Sequence, residues 1–340
     1  MSERLAWGIL GTGNIARQFA TGVNAARRSR LAAVASRKQE SAQAFAGSQN
    51  VPAAYGSYDA MLADPAVTAV YNSLPNSLHH EWTIKALRAG KHVLCEKPFA
   101  LSLAQAQEMF DVARRQGRVL MEAFMYRTHP LTHRIIETVR SGAIGDVRLI
   151  RASFCFKVSK WQGNIRFNPA LHGGVIMDVG CYCVNFARLF AGAEPSGVHV
   201  VHHRHETGVD DLAAGTLTFP NGMLATFSCG MTAHADNTSS ICGSEGYIEI
   251  PIPWKPPAKG ATFTIGRSTP PKMESPGTPV APPRQTFMVD AGGELYGIEA
   301  DSFAATVFDG APAAVTPEDT LGNQRVMDEI RGQISIEPHS

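Results

Sequence analysis

Lys97 is the residue with the most chemistry to offer. It lies in Ala89-Gly-Lys-His-Val-Leu-Cys-Glu-Lys-Pro-Phe99. There a helix ends at Gly90, the apolar run from His92 to Cys95 reads as a buried parallel strand, and Glu96-Lys97-Pro98 follows at its carboxyl end. Ligands of an open α/β sheet gather at that end of the strands. Lys97 is thus an amine carried by a rigid strand into a cofactor crevice, beside a proline that cannot continue the ladder. A solvated turn lysine is the competing reading of these three residues alone.

A second motif gives the crevice an occupant. Residues 5–10 read as a strand, and Gly11-Thr12-Gly13-Asn14-Ile15-Ala16 turns from it into a helix, the G-x-G-x-x-A form of the dinucleotide fingerprint. Gly11 allows the tight turn, Gly13 lets a pyrophosphate approach the backbone, Ala16 lets helix and strand pack closely, and the helix start supplies free amides. The next strand, 31–36, ends in Ser36-Arg37-Lys38, where an NAD enzyme places an acid for the ribose hydroxyls. A hydroxyl and two cations stand there instead, which suits a 2′-phosphate and so NADP, with NAD as the second option. Stacking of Arg37 on adenine is the alternative.

The elements that must position these groups alternate. A helix at 57–63, a strand at 67–72, a helix at 78–89 and the Lys97 strand lead to a helix opened by Ser102 and Gln105 as a capping box and closed by Gly117; a strand at 119–122 follows. This implies a Rossmann-type, doubly wound parallel sheet over residues 1–123. Residues 124–340 follow another grammar, that of a substrate-binding and oligomerisation α+β domain on a large, mainly antiparallel open sheet. It has a helix at 131–141, strands at 147–156, 197–203, 212–219, 223–229, 239–242 and 247–250, and a helix at 179–190 covering one face. Pro220-Asn221-Gly222 marks a hairpin, since Asn-Gly suits a type I′ turn. Residues 254–284 read as an ordered but irregular excursion with a strand at 262–265, and helices at 294–308 and 317–331 close the chain.

Composition narrows the partners. The 340 residues are 44% hydrophobic and 18% charged, with 31 Lys plus Arg against 30 Asp plus Glu, which argues against a nucleic-acid or anionic-membrane surface and for a small, weakly charged ligand. No signal-peptide pattern precedes residue 5, and no run of about 18 apolar residues is read as a membrane span. Six cysteines without a CxxC, several inside apolar runs, fit free thiols in a reducing cytoplasm.

With Ala89-Gly-Lys-His-Val-Leu-Cys-Glu-Lys-Pro98 behind the glycine motif, and Gly173-Gly174-Val-Ile-Met-Asp178-Val-Gly180-Cys-Tyr182 ahead of it, the chain resembles the Gfo/Idh/MocA oxidoreductases over nearly its whole length. Met121-Glu-Ala123, Gly180-Cys-Tyr-Cys183 and Arg204-His-Glu-Thr-Gly-Val-Asp-Asp211 look most like the branch of dimeric trans-dihydrodiol dehydrogenases, which also oxidise D-xylose. The resemblance implies that Lys97 is the catalytic lysine and that Asp178 and Tyr182 fill the family's paired positions, with tyrosine where inositol dehydrogenases have histidine. Four residues apart at a helix start, the two share a face; a core aromatic with a satisfied hydroxyl is the other reading of Tyr182. An alcohol must lose its hydroxyl proton as hydride leaves its carbon, and a free tyrosine titrates near 10, so a neighbouring cation such as Lys97 is expected to favour phenolate. Asp178 is expected to orient a sugar hydroxyl or the lysine.

Pro75-Asn76-Ser-Leu-His79 resembles the family's loop near the nicotinamide. Leu74, Asn76, His79 and Glu96 therefore join Gly11 to Ile15 and Lys97 as expected cofactor contacts, with His79 a secondary option for the base. Trp161 and Arg166 are expected to line the substrate mouth with Lys97, Asp178 and Tyr182, though Arg166 also suits a loop brace. His202, His203 and His205 cluster on a strand without carboxylate-supported spacing, so no metal is expected. The leading function is an NADP-dependent dehydrogenase of a neutral polyol, either a cyclic sugar such as D-xylose or D-glucose at C1 or a trans-dihydrodiol. An NAD-dependent glycosidase and a non-catalytic dinucleotide-binding regulator are the alternatives. An antiparallel sheet covered on one face alone is expected to pair with a copy of itself, as a homodimer or a dimer of dimers.

Overall fold

The computed structural model describes residues 3–267 and 284–336, so residues 268–283 of the proline-rich excursion lie outside the described residues. Six strands, β1 (Leu5–Leu10), β2 (Ser29–Ala35), β3 (Ala53–Tyr55), β4 (Ala69–Asn72), β5 (His92–Glu96) and β6 (Leu120–Ala123), form a parallel sheet in the order β3-β2-β1-β4-β5-β6. Between them run α1 (Asn14–Asn24), α2 (Gln39–Gln49), α3 (Tyr58–Leu62), α4 (His79–Arg88) and α5 (Leu103–Gln116). The strand order reverses between β1 and β4, so the loops after these two strands flank a crevice at the carboxyl edge.

Alternation along the buried strands divides the core. Trp7, Ile9, Val34, Tyr71 and Leu94 pack with Phe19 and Val23 of α1, while Leu10, Ala35, Val70, Val93 and Cys95 pack with Leu87 of α4 and Met109 and Phe110 of α5. The predicted capping box departs in one bond. Ser102 Oγ accepts from the Gln105 amide at 3.3 Å, but Gln105 Oε1 reaches back to the amide of Leu101, at 3.0 Å.

The rest of the chain builds an eight-stranded sheet: β7 (Val147–Cys155), β8 (Gly197–Arg204), β9 (Asp210–Thr218), β10 (Leu224–Gly230), β11 (Ser239–Gly243), β12 (Tyr247–Ile250), β13 (Ala261–Gly266) and β14 (Arg284–Val289). Its order is β14-β13-β12-β11-β7-β10-β9-β8, and every pairing is antiparallel except β7 with β10. The Asn-Gly hairpin is corrected in type. Gly222 has φ +79°, yet Asn221 does not enter the left-handed region that a type I′ turn requires. Pro220 holds φ near −65°, and the Gly222 amide closes onto Phe219 O at 3.0 Å, giving a type I turn with glycine at its last position.

Helices α6 (Pro130–Arg140), α7 (Cys181–Ala191), α8 (Leu295–Asp309) and α9 (Pro317–Ile336) complete the chain. Pro169–Ala191, which ends in α7, is apolar and long enough by length and composition to be weighed as a membrane span, contrary to the expectation that no such run exists; 83% of its apolar window is buried inside the protein. It is a core helix, packed on β7 and β10. The opposite face of the sheet carries the exposed Val201, Leu212 and Leu224.

Candidate active site

The glycine turn leaves β1 with Gly11 at φ +97°, a conformation L side chains rarely adopt, and its amide donates to Ala35 O at 2.9 Å. A Cβ placed on Gly13 meets nothing within 4 Å. α1 then starts with no side-chain cap and no acid in its first turn, so its amides face that open space unpaired by a side chain. An anion such as a pyrophosphate fits this cradle in both room and polarity. At the tip of β2, Arg37 and Lys38 are exposed beside Ser36, and Lys38 occupies the N-cap position of α2.

Lys97 follows β5 across a cis peptide bond to Pro98. Its ammonium donates to Asp178 O at 2.8 Å and Asp178 Oδ1 at 3.3 Å, with only 13% of the side chain exposed, so the structure does not show a solvated turn lysine. Arg166 Nε donates to the other carboxylate oxygen, Asp178 Oδ2, at 2.6 Å. Burial pushes the Asp178 carboxyl up, but Lys97 and Arg166 outweigh it and hold it below the usual range. Burial, the largest single effect, likewise pulls Lys97 down, and Asp178, Cys181 and Glu96 together outweigh it and raise the ammonium. The pair is therefore ionised at neutral pH, with Arg166 serving as the brace.

Tyr182 is buried and stands on α7 one turn beyond Asp178, which lies in the π-helical segment Ile176–Gly180. Such segments concentrate at functional sites. The Lys97 ammonium sits 5.1 Å from the centroid of the Tyr182 ring, over its face, and the hydroxyl donates only to Met125 Sδ, at 3.2 Å. Burial and then the Glu96 charge push this phenol well above tyrosine's ordinary value. The expected lowering by Lys97 is thus reversed in direction, because the cation lies against the ring and the oxygen faces a thioether. Glu96 itself accepts from the hydroxyl of Tyr71 and, at 3.2 Å, from the Lys97 amide.

His79 braces two loops. Its Nδ1 lies 2.8 Å from Pro98 O and its Nε2 2.7 Å from Leu74 O, so both ring nitrogens face backbone carbonyls and neither is left for a substrate proton. Asn76 Nδ2 donates to His172 O at 2.9 Å, tying the same loop to the second half of the chain.

The glycine pair explains how the helix bearing Asp178 and Tyr182 is placed. A Cβ on Gly173 would collide with Arg166 O, and one on Gly174, at φ +110°, with the carboxylate of Asp210. That carboxylate accepts from the Ile176 amide at 2.7 Å, capping the segment; burial raises it to about 6. The neighbouring Asp211 accepts from His203 Nδ1 at 2.6 Å when that nitrogen is protonated, and His205 packs its ring edge-on against Phe167 and Trp161.

One cavity of about 580 Å³ joins these parts. Gly13, Asn14, Ile15, Leu74, Asn76, His79, Glu96, Lys97, Arg166, Asp178 and Tyr182 all line it. Gly11 and Thr12 of the glycine turn and Ser36, Arg37 and Lys38 at the tip of β2 lie outside this lining, and Trp161 is outside it too, packed on Phe167. Sequence reasoning missed further lining residues: Phe154 from β7 and Phe156 just beyond its end, Trp254 and Lys255 from the proline-rich run, and Tyr296 from α8. Their alternation and composition read as ordinary strand, loop and helix, and only the proximity of a tryptophan and a lysine within a proline run distinguished them.

A parallel sheet with a glycine cradle at its switch point, and an ionised Lys–Asp pair beside a cavity-lining tyrosine, define a dinucleotide-dependent oxidoreductase. Residues 5–124 match the oxidoreductase family with an NAD-binding Rossmann fold, and residues 132–249 match the GFO/IDH/MocA C-terminal domain. The chain belongs to the Gfo/Idh/MocA oxidoreductase family. It is similar to the trans-1,2-dihydrobenzene-1,2-diol dehydrogenase of Mus musculus, 38% identical over 74% of this chain and 76% of that one. It is also similar to D-xylose 1-dehydrogenase (NADP(+)) 2 of Haloferax volcanii, 35% identical over 96% of both. Among solved structures, a 3-ketoreductase from Actinomadura kijaniata in complex with NADP and TDP-benzene superposes with a TM-score of 0.85 at 30% identity, covering 97% of this chain and 98% of that one.

Proposed function

We propose that this protein transfers hydride between NADP and a neutral polyol, either a cyclic sugar at its anomeric carbon or a trans-dihydrodiol. The observation that carries this reading is the single cavity running from the glycine cradle to Lys97, Asp178 and Tyr182 under an aromatic wall. A dinucleotide held there would supply the nicotinamide that takes up or gives the hydride. Tyr182 exchanges the proton of the substrate oxygen, whose approach replaces the weak Met125 sulfur acceptor. Lys97 donates a hydrogen bond to the same oxygen, and Asp178, fixed by Arg166, holds the ammonium in place. Phe154, Phe156 and Trp254 offer flat apolar faces to the C–H side of a sugar or to a diol ring. Reduced-cofactor absorbance with pentoses, hexoses and trans-dihydrodiols, each with both dinucleotides, tests it; no turnover with any member of the panel would refute it.

Cofactor choice rests on the tip of β2, where Ser36, Arg37 and Lys38 stand in place of an acid. Arg37→Ala is expected to weaken NADP by about 1.5–3 kcal/mol, as loss of a charge-assisted bond to the 2′-phosphate, and to leave NAD nearly unchanged. Titration of both cofactors decides it, because equal losses would mean that Arg37 stacks on adenine.

We place the domain division after Ala123 and assign the protein to the cytoplasm, in keeping with six free cysteines. Assembly as a homodimer or a dimer of dimers would cover the open sheet face that exposes Val201, Leu212 and Leu224. Sedimentation equilibrium is expected to show it, and a monomer at micromolar concentration would rule it out.

A further inference from the structure

Directly after β12, residues 251–257 read Pro-Ile-Pro-Trp-Lys-Pro-Pro and cross from the large sheet to the glycine-turn helix. Four prolines fix φ and remove N–H groups, so the strap is stiff without belonging to a ladder. Trp254 pins it. The indole Nε1 donates to Ser153 O at 2.7 Å, and its ring stacks on Phe154 with centroids 5.4 Å apart and planes 4° from parallel. The next side chain, Lys255, lines the cavity, and its ammonium donates to Gln18 Oε1 at 3.1 Å. Gln18 lies one turn into α1, on the face shared with Asn14 at the helix start.

Tyr296 completes this corner. It lines the same cavity, its ring centroid is 5.9 Å from the Lys255 ammonium, and its buried hydroxyl has no hydrogen-bond partner among the described residues. The hydroxyl oxygen itself is closed off from the cavity, so the part of Tyr296 that Lys255 meets there is the ring. The Asp178 carboxylate is already held between Lys97 and Arg166, and no carboxylate among the described residues forms an ion pair with Lys255, although Glu96 and Asp178 act on it from further off. Burial and the nearby Lys97 charge lower the Lys255 ammonium, an effect that a bound anion would reverse. Lys255 shares the cavity with both Gly13 and Lys97, whereas Arg37 lies outside it.

We propose that Lys255, backed by the Tyr296 ring, forms a clamp, supplied by the second half of the chain, for the phosphate of the nicotinamide half of the dinucleotide. The clamp rests on the dinucleotide reading of the cavity, and it makes cofactor retention depend on a segment outside the Rossmann sheet. Lys255 and Arg37 then have separable duties: Arg37 distinguishes NADP from NAD, and Lys255 holds both.

Calorimetric titration of the full chain with NADPH, NADH and adenosine 2′,5′-bisphosphate tests the clamp. The bisphosphate carries the adenosine half alone. Lys255→Met is expected to weaken both dinucleotides by roughly 10- to 100-fold, with the loss shrinking at high salt, and to leave the bisphosphate unchanged. Lys255→Arg should recover most of the affinity, and Tyr296→Leu, which removes the ring behind the ammonium, should lose several-fold on both dinucleotides alone. Dinucleotide binding unchanged in Lys255→Met, or a loss shared equally by the bisphosphate, would overturn the clamp while leaving the cofactor reading intact. If Lys255→Met does not fold, unchanged dinucleotide binding by Lys255→Gln overturns it instead. A wild-type chain that binds neither dinucleotide would remove both.

Discussion

Replacing Lys97 by methionine is expected to lower kcat by about 10³-fold, in the range seen when one positioned donor is lost from a reacting oxygen, while the dinucleotide still binds. Methionine is close to lysine in length and fills the same space without a charge. The fold survives because Asp178 keeps its second cation, Arg166, whose Nε lies 2.6 Å from Oδ2. Removing one partner of a buried pair still costs stability, here about 1–2 kcal/mol given the remaining bond. The cost has a definite pH window. The Lys97 pKa is raised on folding, so its contribution is full below lysine's ordinary value and is lost as pH climbs through the folded value; that of Asp178 is lowered, so its contribution is full above the ordinary carboxylate value and is lost as pH falls through the folded one. Between those limits, urea unfolding of wild type and variant should differ by a constant amount. Near-normal turnover in the variant would remove Lys97 from the chemistry, and a large fall in dinucleotide affinity would move its role to binding.

The parallel half of this molecule is legible because burial on both faces of the sheet leaves long apolar runs separated by glycine and capping residues. The reading fails where burial is slight. α2 buries only Ala42 and Phe45, and β3 is three half-buried residues, so neither supplies a period to detect. At 220–222 the Asn-Gly pattern covers two residues of three; Pro220 sets the turn, and the Asn-Gly pair follows it. In the site, the four-residue spacing of Asp178 and Tyr182 is enough to place both on one cavity wall. What spacing cannot give is which atom of the ring the lysine meets. Across the cavity, Lys255 belongs to a run whose prolines signal only the absence of regular structure. Its position comes from the Trp254 hydrogen bond to Ser153, a contact 101 residues apart in the chain.

That detail of the ring decides what Tyr182 should do. Tyr182→Phe removes one oxygen and leaves the edge-on contacts with Phe124, Phe154 and Trp254, so packing is retained and kcat is expected to fall by about 10²- to 10⁴-fold in both directions. The pH dependence is the sharper test. Since burial and Glu96 raise the phenol well above its ordinary value, it stays protonated across the working range. As an acid it is ready, so carbonyl reduction by the wild type should be flat with pH up to about 10. As a base it is scarce, so alcohol oxidation should climb roughly tenfold per pH unit, without a plateau below about 10, as the phenolate fraction grows. The phenylalanine variant has no proton to exchange at that position, and this climb should be absent from its residual oxidation. A variant with the wild-type kcat and the wild-type pH profile would exclude Tyr182 as the proton carrier. His79 could not then take its place, with both ring nitrogens against backbone carbonyls, and the search would pass to Asp178.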